Sequence, residues 1–242
     1  MARYKGSILG QNPKISNDSV KDFFNERAKK INDLDELRAV MYQDENPNLV
    51  MERDKAEKNK LLPYLNINHD SNIVDVGCGT GRWLECFNNQ FNSYYGIDLS
   101  KGFIEYSRKK YEANNKVHFE ELSATDLKLD RSFNRLLCMG LLIYINDNDL
   151  KNLLKKFNKI MDDDSILVFR EPVGINYRLT LDSEFSKDLK AEYSAIYRTK
   201  NEIIEFFKIY LTRFDIKNME PLFDSNLNNR IETQQYYFVL GK

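Results

Sequence analysis

Three glycines at alternate positions, Gly77, Gly79 and Gly81, follow the apolar run Ile73–Val76 in the stretch IVDVGCGTGRWLE. Glycine disfavours regular structure by about 0.5–1 kcal/mol relative to alanine. Three in a row mark a backbone that a ligand must approach closely; a purely structural turn is the lesser reading. An acid, Asp75, stands two residues before the first glycine. A second acid, Asp98, closes the run YYGID. It lies roughly 20 residues past the glycines, where a carboxylate receives the hydroxyls of a ribose. Bare backbone followed by a spaced carboxylate is the chemistry of a nucleoside-bearing cofactor. The spacing is G-x-G-x-G, not the G-x-G-x-x-G of dinucleotide binders.

Other reactive types are sparse. Cys78, Cys86 and Cys138 are odd in number and lack metal-ligand spacing with His69 and His118. They read as free thiols in a reducing compartment, with Cys78 a small residue tolerated beside the loop. No metal site is expected, and both histidines read as structural. A second chemical concentration lies in REPVGINYRLTLDSEFSKDLKAEYSAIYRT. Connections longer than about 12–15 residues inside a compact domain are usually lids or binding segments. Tyr177, Arg178, Tyr193, Tyr197 and Arg198 would line an acceptor with rings and cationic forks suited to a polar or anionic molecule. The competing reading is a helix that packs its tyrosines on the sheet.

The elements that must hold these residues are legible from periodicity. Residues 1–17 are polar and read as loose. Phe23, Phe24, Arg27, Ala28 and Ile31 suit one helix, and Leu34, Leu37, Val40 and Met41 a second. A third runs from Met51 to Leu62 and stops near Pro63. Short apolar runs then alternate with helical patterns: Ile73–Val76, Tyr94–Ile97, Val117–Phe119, Leu136–Met139 and Ile166–Phe169. The clearest helix is Asp149–Met161. This alternation predicts parallel βαβ units with right-handed crossovers. Thr199 and Glu202 form a capping box, and Phe214–Met219 with Gln235–Leu240 predict an antiparallel hairpin at the sheet edge. The expected fold is a doubly wound α/β, mostly parallel seven-stranded sheet with N-terminal helices and an antiparallel C-terminal strand. Residues 1–65 form a helical cap and 66–242 a cofactor-binding domain, with an acceptor-side insertion at about 172–199.

These motifs resemble the class I S-adenosylmethionine-dependent methyltransferases. VDVGCGTGRWLE is similar to that family's first motif and YGIDLSKGFIEYSRKK to its second; SATDL occupies the adenine-loop position. FNRLLCMGLLIYINDNDLKNLLKKFNKIMDDDSILVFREP follows the family's fourth strand, helix and fifth strand in order, so the resemblance spans about residues 70–172 and takes in the late strand pair. It implies S-adenosyl-L-methionine as cofactor, left as S-adenosyl-L-homocysteine. Its carboxylate would sit at the start of a helix after Gly81, and its amine at Asp75 or carbonyls of the Gly77–Cys78–Gly79 loop. Asp98 would take both ribose hydroxyls, Leu99 and Phe103 would flank the adenine, and Met139 and Gly140 would lie near the sulfonium. Where the family often has Gly-Asp-Ala this chain has Leu122-Ser123-Ala124, so Ser123 or Asp126 receives the adenine amine. The family's N-terminal helices fold over the cofactor, which brings in Tyr42 or Arg53. Tyr144 falls above the reacting methyl or in the core.

The implied activity is methyl transfer to oxygen or nitrogen of a small polar metabolite such as a sugar, a nucleotide-linked intermediate or a small amine. Glu171 or Tyr144 is the candidate base where the acceptor must lose a proton. No Asn-Pro-Pro-Tyr run follows the fourth strand, which argues against methylators of nucleobases and glutamine amines. Lys plus Arg (36) against Asp plus Glu (37) leaves no basic footprint for nucleic acid, and no segment suits a membrane span. A cytoplasmic protein with a small-molecule partner is expected, its oligomeric state open. The alternatives are an NAD-dependent oxidoreductase, which Asp98 would serve equally, and a non-catalytic partner subunit on the same fold.

Overall fold

The computed structural model describes residues 2–7, 10–41, 46–186, 189–224, 226–228 and 230–242. Strand β1 (Ala2–Lys5) precedes helices α1 (Asn17–Lys29), α2 (Ile31–Leu34), α3 (Glu36–Met41) and α4 (Pro47–Leu65). There follow β2 (Asn72–Val76), β3 (Ser93–Asp98), α5 (Lys101–Lys110), β4 (Val117–Glu121), β5 (Phe133–Met139), α6 (Asp147–Ile160) and β6 (Met161–Gly174). The chain ends with β7 (Leu179–Ser186), β8 (Ala191–Tyr197), α7 (Lys200–Tyr210), β9 (Asp215–Pro221) and β10 (Thr233–Gly241).

Seven strands form one sheet in the order β4-β3-β2-β5-β6-β10-β9. The first five are parallel, β10 runs antiparallel to β6, and β9 antiparallel to β10, as the periodicity predicts. From β2 the chain steps to β3 and β4 on one side, then returns to β5 and β6 on the other. That reversal opens a crevice beyond the carboxyl end of β2, where such sheets take ligands. Asp75 sits in the middle of it, paired with Gly96 on one side and Leu137 on the other.

Both faces are covered. In α6 the residues Leu150, Leu153, Leu154, Phe157 and Ile160 make one buried stripe, the spacing of an amphipathic helix. They pack with Leu136, Leu167, Phe169 and α7's Phe207. On the opposite face Leu61 and Leu65 of α4 join Trp83, Phe87, Tyr94 and Tyr237. The Thr199–Glu202 capping box opens α7.

Four local expectations change. Helix α4 continues through Pro63 to Leu65. A proline near a helix end removes a single donor, and the full burial of Leu61 and Leu65 sustains the last turn. No α-helix starts after Gly81; a 3-10 turn spans Leu84–Phe87 and is ended by Asn88 and Asn89 at φ +47° and +58°. Ala2–Lys5 is not loose: β1 pairs antiparallel with β7, Ala2 opposite Asp182. The segment between β6 and α7 holds no helix among its described residues; β7 and β8 pair antiparallel, giving a second sheet in the order β1-β7-β8. The β1–β7 pairing joins residues about 180 apart in sequence, so a reading by local period does not find it.

Candidate functional site

The glycine loop turns back over β3. The Gly77 and Cys78 amides both donate to the Ile97 carbonyl, at 2.8 and 3.0 Å, and the Gly79 amide donates to Asp98 Oδ2 at 2.9 Å. Gly77, Gly79 and Gly81 have φ of +78°, +54° and +71°, a region costly for other residues. A Cβ on Gly79 would come within 2.9 Å of Val40, and one on Gly77 within 3.2 Å of Leu141. The third glycine faces elsewhere. A Cβ on Gly81 would press on Phe119 and Tyr111 at 3.0 and 3.2 Å, so Gly81 serves packing and does not line the crevice. Cys78 is buried, and burial holds its thiol well above the usual range, which leaves it inert.

Beside this loop lies a cavity of about 510 Å³. Asp75, Gly77, Cys78, Gly79, Asp98, Leu99, Phe103, Ser123, Ala124, Met139, Gly140 and Tyr144 line it together with Asp126. Asp98 ends β3 with each oxygen receiving one amide, Gly79 on Oδ2 and Ser100 on Oδ1, the latter at 2.8 Å. Each carboxylate oxygen has a second lone pair, so Asp98 can still accept two hydroxyls. Burial raises it to about 6 against the opposing pull of those amides, which leaves it ionised at neutral pH. Asp75 is pushed to about 7, chiefly by burial, although the Tyr94 hydroxyl donates to it at 2.7 Å. The Ser123 and Thr125 hydroxyls share a hydrogen bond of 2.8 Å.

A second cavity, of about 660 Å³, adjoins the first. Val40, Met139, Gly140, Tyr144 and Arg170 line both. Tyr193 and Tyr197 of β8 stand on its wall, and their hydroxyls join that of Tyr144 in a chain of 2.9 and 3.2 Å steps. Facing the junction, Arg170 of β6 donates through Nε to Glu57 Oε1 at 2.9 Å. Glu57 is fully buried on α4 and also receives Arg82 Nη2 at 2.9 Å, while Arg82 Nη1 binds Asp54 at 2.7 Å. The two guanidiniums outweigh burial and hold Glu57 below the usual carboxylate range. The sequence reading missed Glu57, Arg82 and Arg170. They stand on α4, after the glycine loop and on β6, and no local spacing in the sequence links them.

Several expected site residues are placed elsewhere. Glu171, a candidate base, is fully buried and lines neither cavity; its Oε1 accepts the Leu141 and Leu142 amides at 3.0 and 2.9 Å. Arg178 and Arg198, expected as substrate forks, point inward. Arg178 binds Asp147 at 2.9 Å and Glu202 at 3.1 Å. Arg198 binds Asp147 and the carbonyls of Leu142 and Ile145 at 2.7 and 2.6 Å. Tyr177 donates to Glu232 at 2.7 Å and lines neither cavity. Arg53 donates through Nε to the Leu227 carbonyl at 2.9 Å and borders the second cavity, away from the nucleoside end. Tyr42 lies outside the described residues. Among the described residues no cluster of three or more His, Cys, Asp or Glu side chains is placed to hold a metal, and no helix is long and apolar enough to cross a membrane.

Residues 73–164 match the family described as "Methyltransferase domain". The chain is 28% identical over 119 residues to malonyl-[acyl-carrier protein] O-methyltransferase of Acetivibrio thermocellus, covering 48% of this chain and 41% of that protein. It is 20% identical over 163 residues to phosphoethanolamine N-methyltransferase of Plasmodium falciparum, covering 66% of this chain and 59% of that one. The chain thus spans about two fifths to three fifths of the length of these relatives. In fold it resembles Haemonchus contortus phosphoethanolamine N-methyltransferase 1, solved with phosphoethanolamine and S-adenosylhomocysteine. The TM-score is 0.70 at 15% identity, over 94% of this chain and 50% of that one.

Proposed function

We propose that this chain, which belongs to the class I S-adenosylmethionine-dependent methyltransferase family, transfers a methyl group to oxygen or nitrogen of a small polar metabolite. The observation that carries the reading is Asp98: an ionised carboxylate at a strand end, one lone pair free on each oxygen, beside a loop stripped of side chains. That arrangement fits a ribose whose chain continues along bare backbone. The cavity volume is also that of a small-ligand site.

When bound, S-adenosylmethionine supplies an electrophilic methyl on a cationic sulfur; the acceptor's lone pair forms the new bond, the sulfur keeps the electrons of the old one, and the acceptor's proton passes to solvent. The chain's residues then have positioning work, which can contribute on the order of 7–11 kcal/mol. Asp98 holds the ribose, Leu99 and Phe103 wall the adenine, and Ser123, Ala124 and Asp126 close its far end. Asp75 and the Gly77–Gly79 carbonyl edge face the methionine amine. Met139 and Gly140 border the point where the two cavities meet, and Tyr144 presents its hydroxyl there. Glu171 acts from behind, fixing the Leu141–Leu142 turn that leads to Tyr144. Of the acceptors named for the relatives, phosphoethanolamine falls in the small polar class, whereas the malonyl group of the other is borne by an acyl-carrier protein.

Titration calorimetry with S-adenosylhomocysteine and with NAD tests the cofactor. Binding of the first and not the second is expected; NAD binding alone would overturn the assignment.

A further inference from the structure

We propose that the second cavity takes an acceptor bearing a phosphate or carboxylate group, anchored on the terminal edge of Arg170. The proposal rests on the methyl-transfer reading and names the acceptor class within it. Its first support is the state of the guanidinium. Nε is committed to Glu57, while neither Nη1 nor Nη2 has a hydrogen-bond partner among the described residues. The group is also held still. Glu57 is fully buried and tied to Arg82, and the guanidinium lies against Gly140, where a Cβ would meet Nη1 at 2.5 Å. Gly140 itself has φ of +79°, so glycine is required there twice over. A fixed planar fork with open donors at a cavity junction is built for a bidentate oxyanion.

Charge supplies the second support. Among the described residues the ion pairs of Lys58, Arg82 and Arg170 are made with Asp54 and Glu57, three cations against two carboxylates. Arg53 and Arg230 line the same second cavity and not the first. Burial and the neighbouring charges of Arg230 and Arg170 depress the Arg53 guanidinium from its ordinary value, which places Arg53 within electrostatic reach of both. Across the cavity Glu184 and Glu232 are engaged by Arg3. The cationic wall therefore faces the acceptor side, and the neutral hydroxyls of Tyr144, Tyr193 and Tyr197 are left to position the uncharged nucleophile.

The test is calorimetry on protein saturated with S-adenosylhomocysteine, at constant ionic strength. The probes are inorganic phosphate, malonate, ethanolamine and glycerol. Saturable binding of phosphate or malonate is expected, with none of ethanolamine or glycerol; which anion binds separates the two headgroups. Arg170→Ala and Arg170→Gln should weaken that binding at least about tenfold, the loss of one charge-assisted hydrogen bond, with S-adenosylhomocysteine affinity unchanged. The glutamine retains a donor for Glu57, so it carries the test if the alanine variant does not fold. Absence of anion binding to the wild type, or equal binding to the variants, overturns the proposal. So does a fall in S-adenosylhomocysteine affinity, which would give Arg170 to the cofactor's carboxylate. Failure of the wild type to bind S-adenosylhomocysteine is a distinct result that removes the methyl-transfer reading itself.

Discussion

Two arginine centres lie on either side of β6, and they use the same chemistry to opposite ends. At one, Arg178 and Arg198 meet Asp147 and Glu202, and Arg198 spends its donors on Asp147 and two backbone carbonyls. At the other, Arg82 and Arg170 meet Asp54 and Glu57, yet Arg170 keeps both terminal nitrogens open at the junction of two cavities. The first centre is closed: it ties the turn after β5 to the start of α6 and to α7. The second is open on one side. Residue type does not distinguish the two; what does is that the terminal nitrogens of Arg178 and Arg198 are all paired, while those of Arg170 have no partner among the described residues.

The largest effect should come from the closed centre. Arg198→Ala leaves Asp147 short of its main partner and exposes two carbonyls to a cavity, and breaking such a buried pair costs about 3–5 kcal/mol. Urea denaturation should register that loss; a variant as stable as the wild type would erase the contrast between the centres. The pH dependence has a definite sign. Burial alone would raise Asp147, but the two guanidiniums outweigh it and hold it at about 2. Its contribution is therefore complete above the unfolded carboxylate value of about 3.9 and is lost as pH falls from there towards 2.

An effect of comparable size, on binding and not on stability, is expected at the nucleoside end. Asp98→Ala removes the acceptor of two ribose hydroxyls, each charge-assisted bond contributing about 1.5–3 kcal/mol. Calorimetry with S-adenosylhomocysteine should show the loss in a folded variant. Because burial raises Asp98 to about 6, wild-type affinity should fall as pH drops through that value, and Asp98→Asn should be flat there. The folded state holds the extra proton between about 3.9 and 6, so this residue lowers stability as pH rises through that window. Unchanged affinity in Asp98→Ala would detach the ribose from this residue.

The two ends of the site were unequally legible in the sequence. Asp75, Gly77, Gly79 and Asp98 lie on two successive parallel strands and the loop leaving the first, so their geometry follows from spacing and strand direction, and the structure gathers them on one cavity. The tyrosines after β6 are legible by position in the chain: Tyr193 and Tyr197 of β8 stand on the second cavity, while Tyr177, before β7, lies off it. Their neighbours Arg178 and Arg198, just before β7 and just after β8, turn inward because Asp147 and Glu202 pair with them there, a partnership that no local spacing reveals. Arg170, Arg82 and Glu57 come from β6, the glycine loop and α4. Only tertiary packing joins them, and no window of sequence carries that signal.

The smallest effect is expected at Glu171, next to Arg170 in sequence and on the other side of the strand. A base must reach the proton it removes, and Glu171 reaches neither cavity; it accepts two amides with Oε1, while Oε2 is buried without a partner among the described residues. Burial, opposed by those amides and by Arg170, raises it to about 7. A glutamine keeps the accepting oxygen and places an uncharged group where a half-protonated carboxyl stood. Glu171→Gln should thus retain turnover and S-adenosylhomocysteine affinity. Its stability should differ with pH in a set direction. Between the unfolded value of about 4.3 and the folded value the wild type holds one more proton folded than unfolded, so its stability falls by up to about 1.4 kcal/mol per pH unit as pH rises. The glutamine variant lacks that slope and should gain on the wild type between pH 5 and pH 8 in urea titrations. Collapse of turnover in a folded variant would return Glu171 to the reaction and make the open side of β6 larger than the two cavities imply.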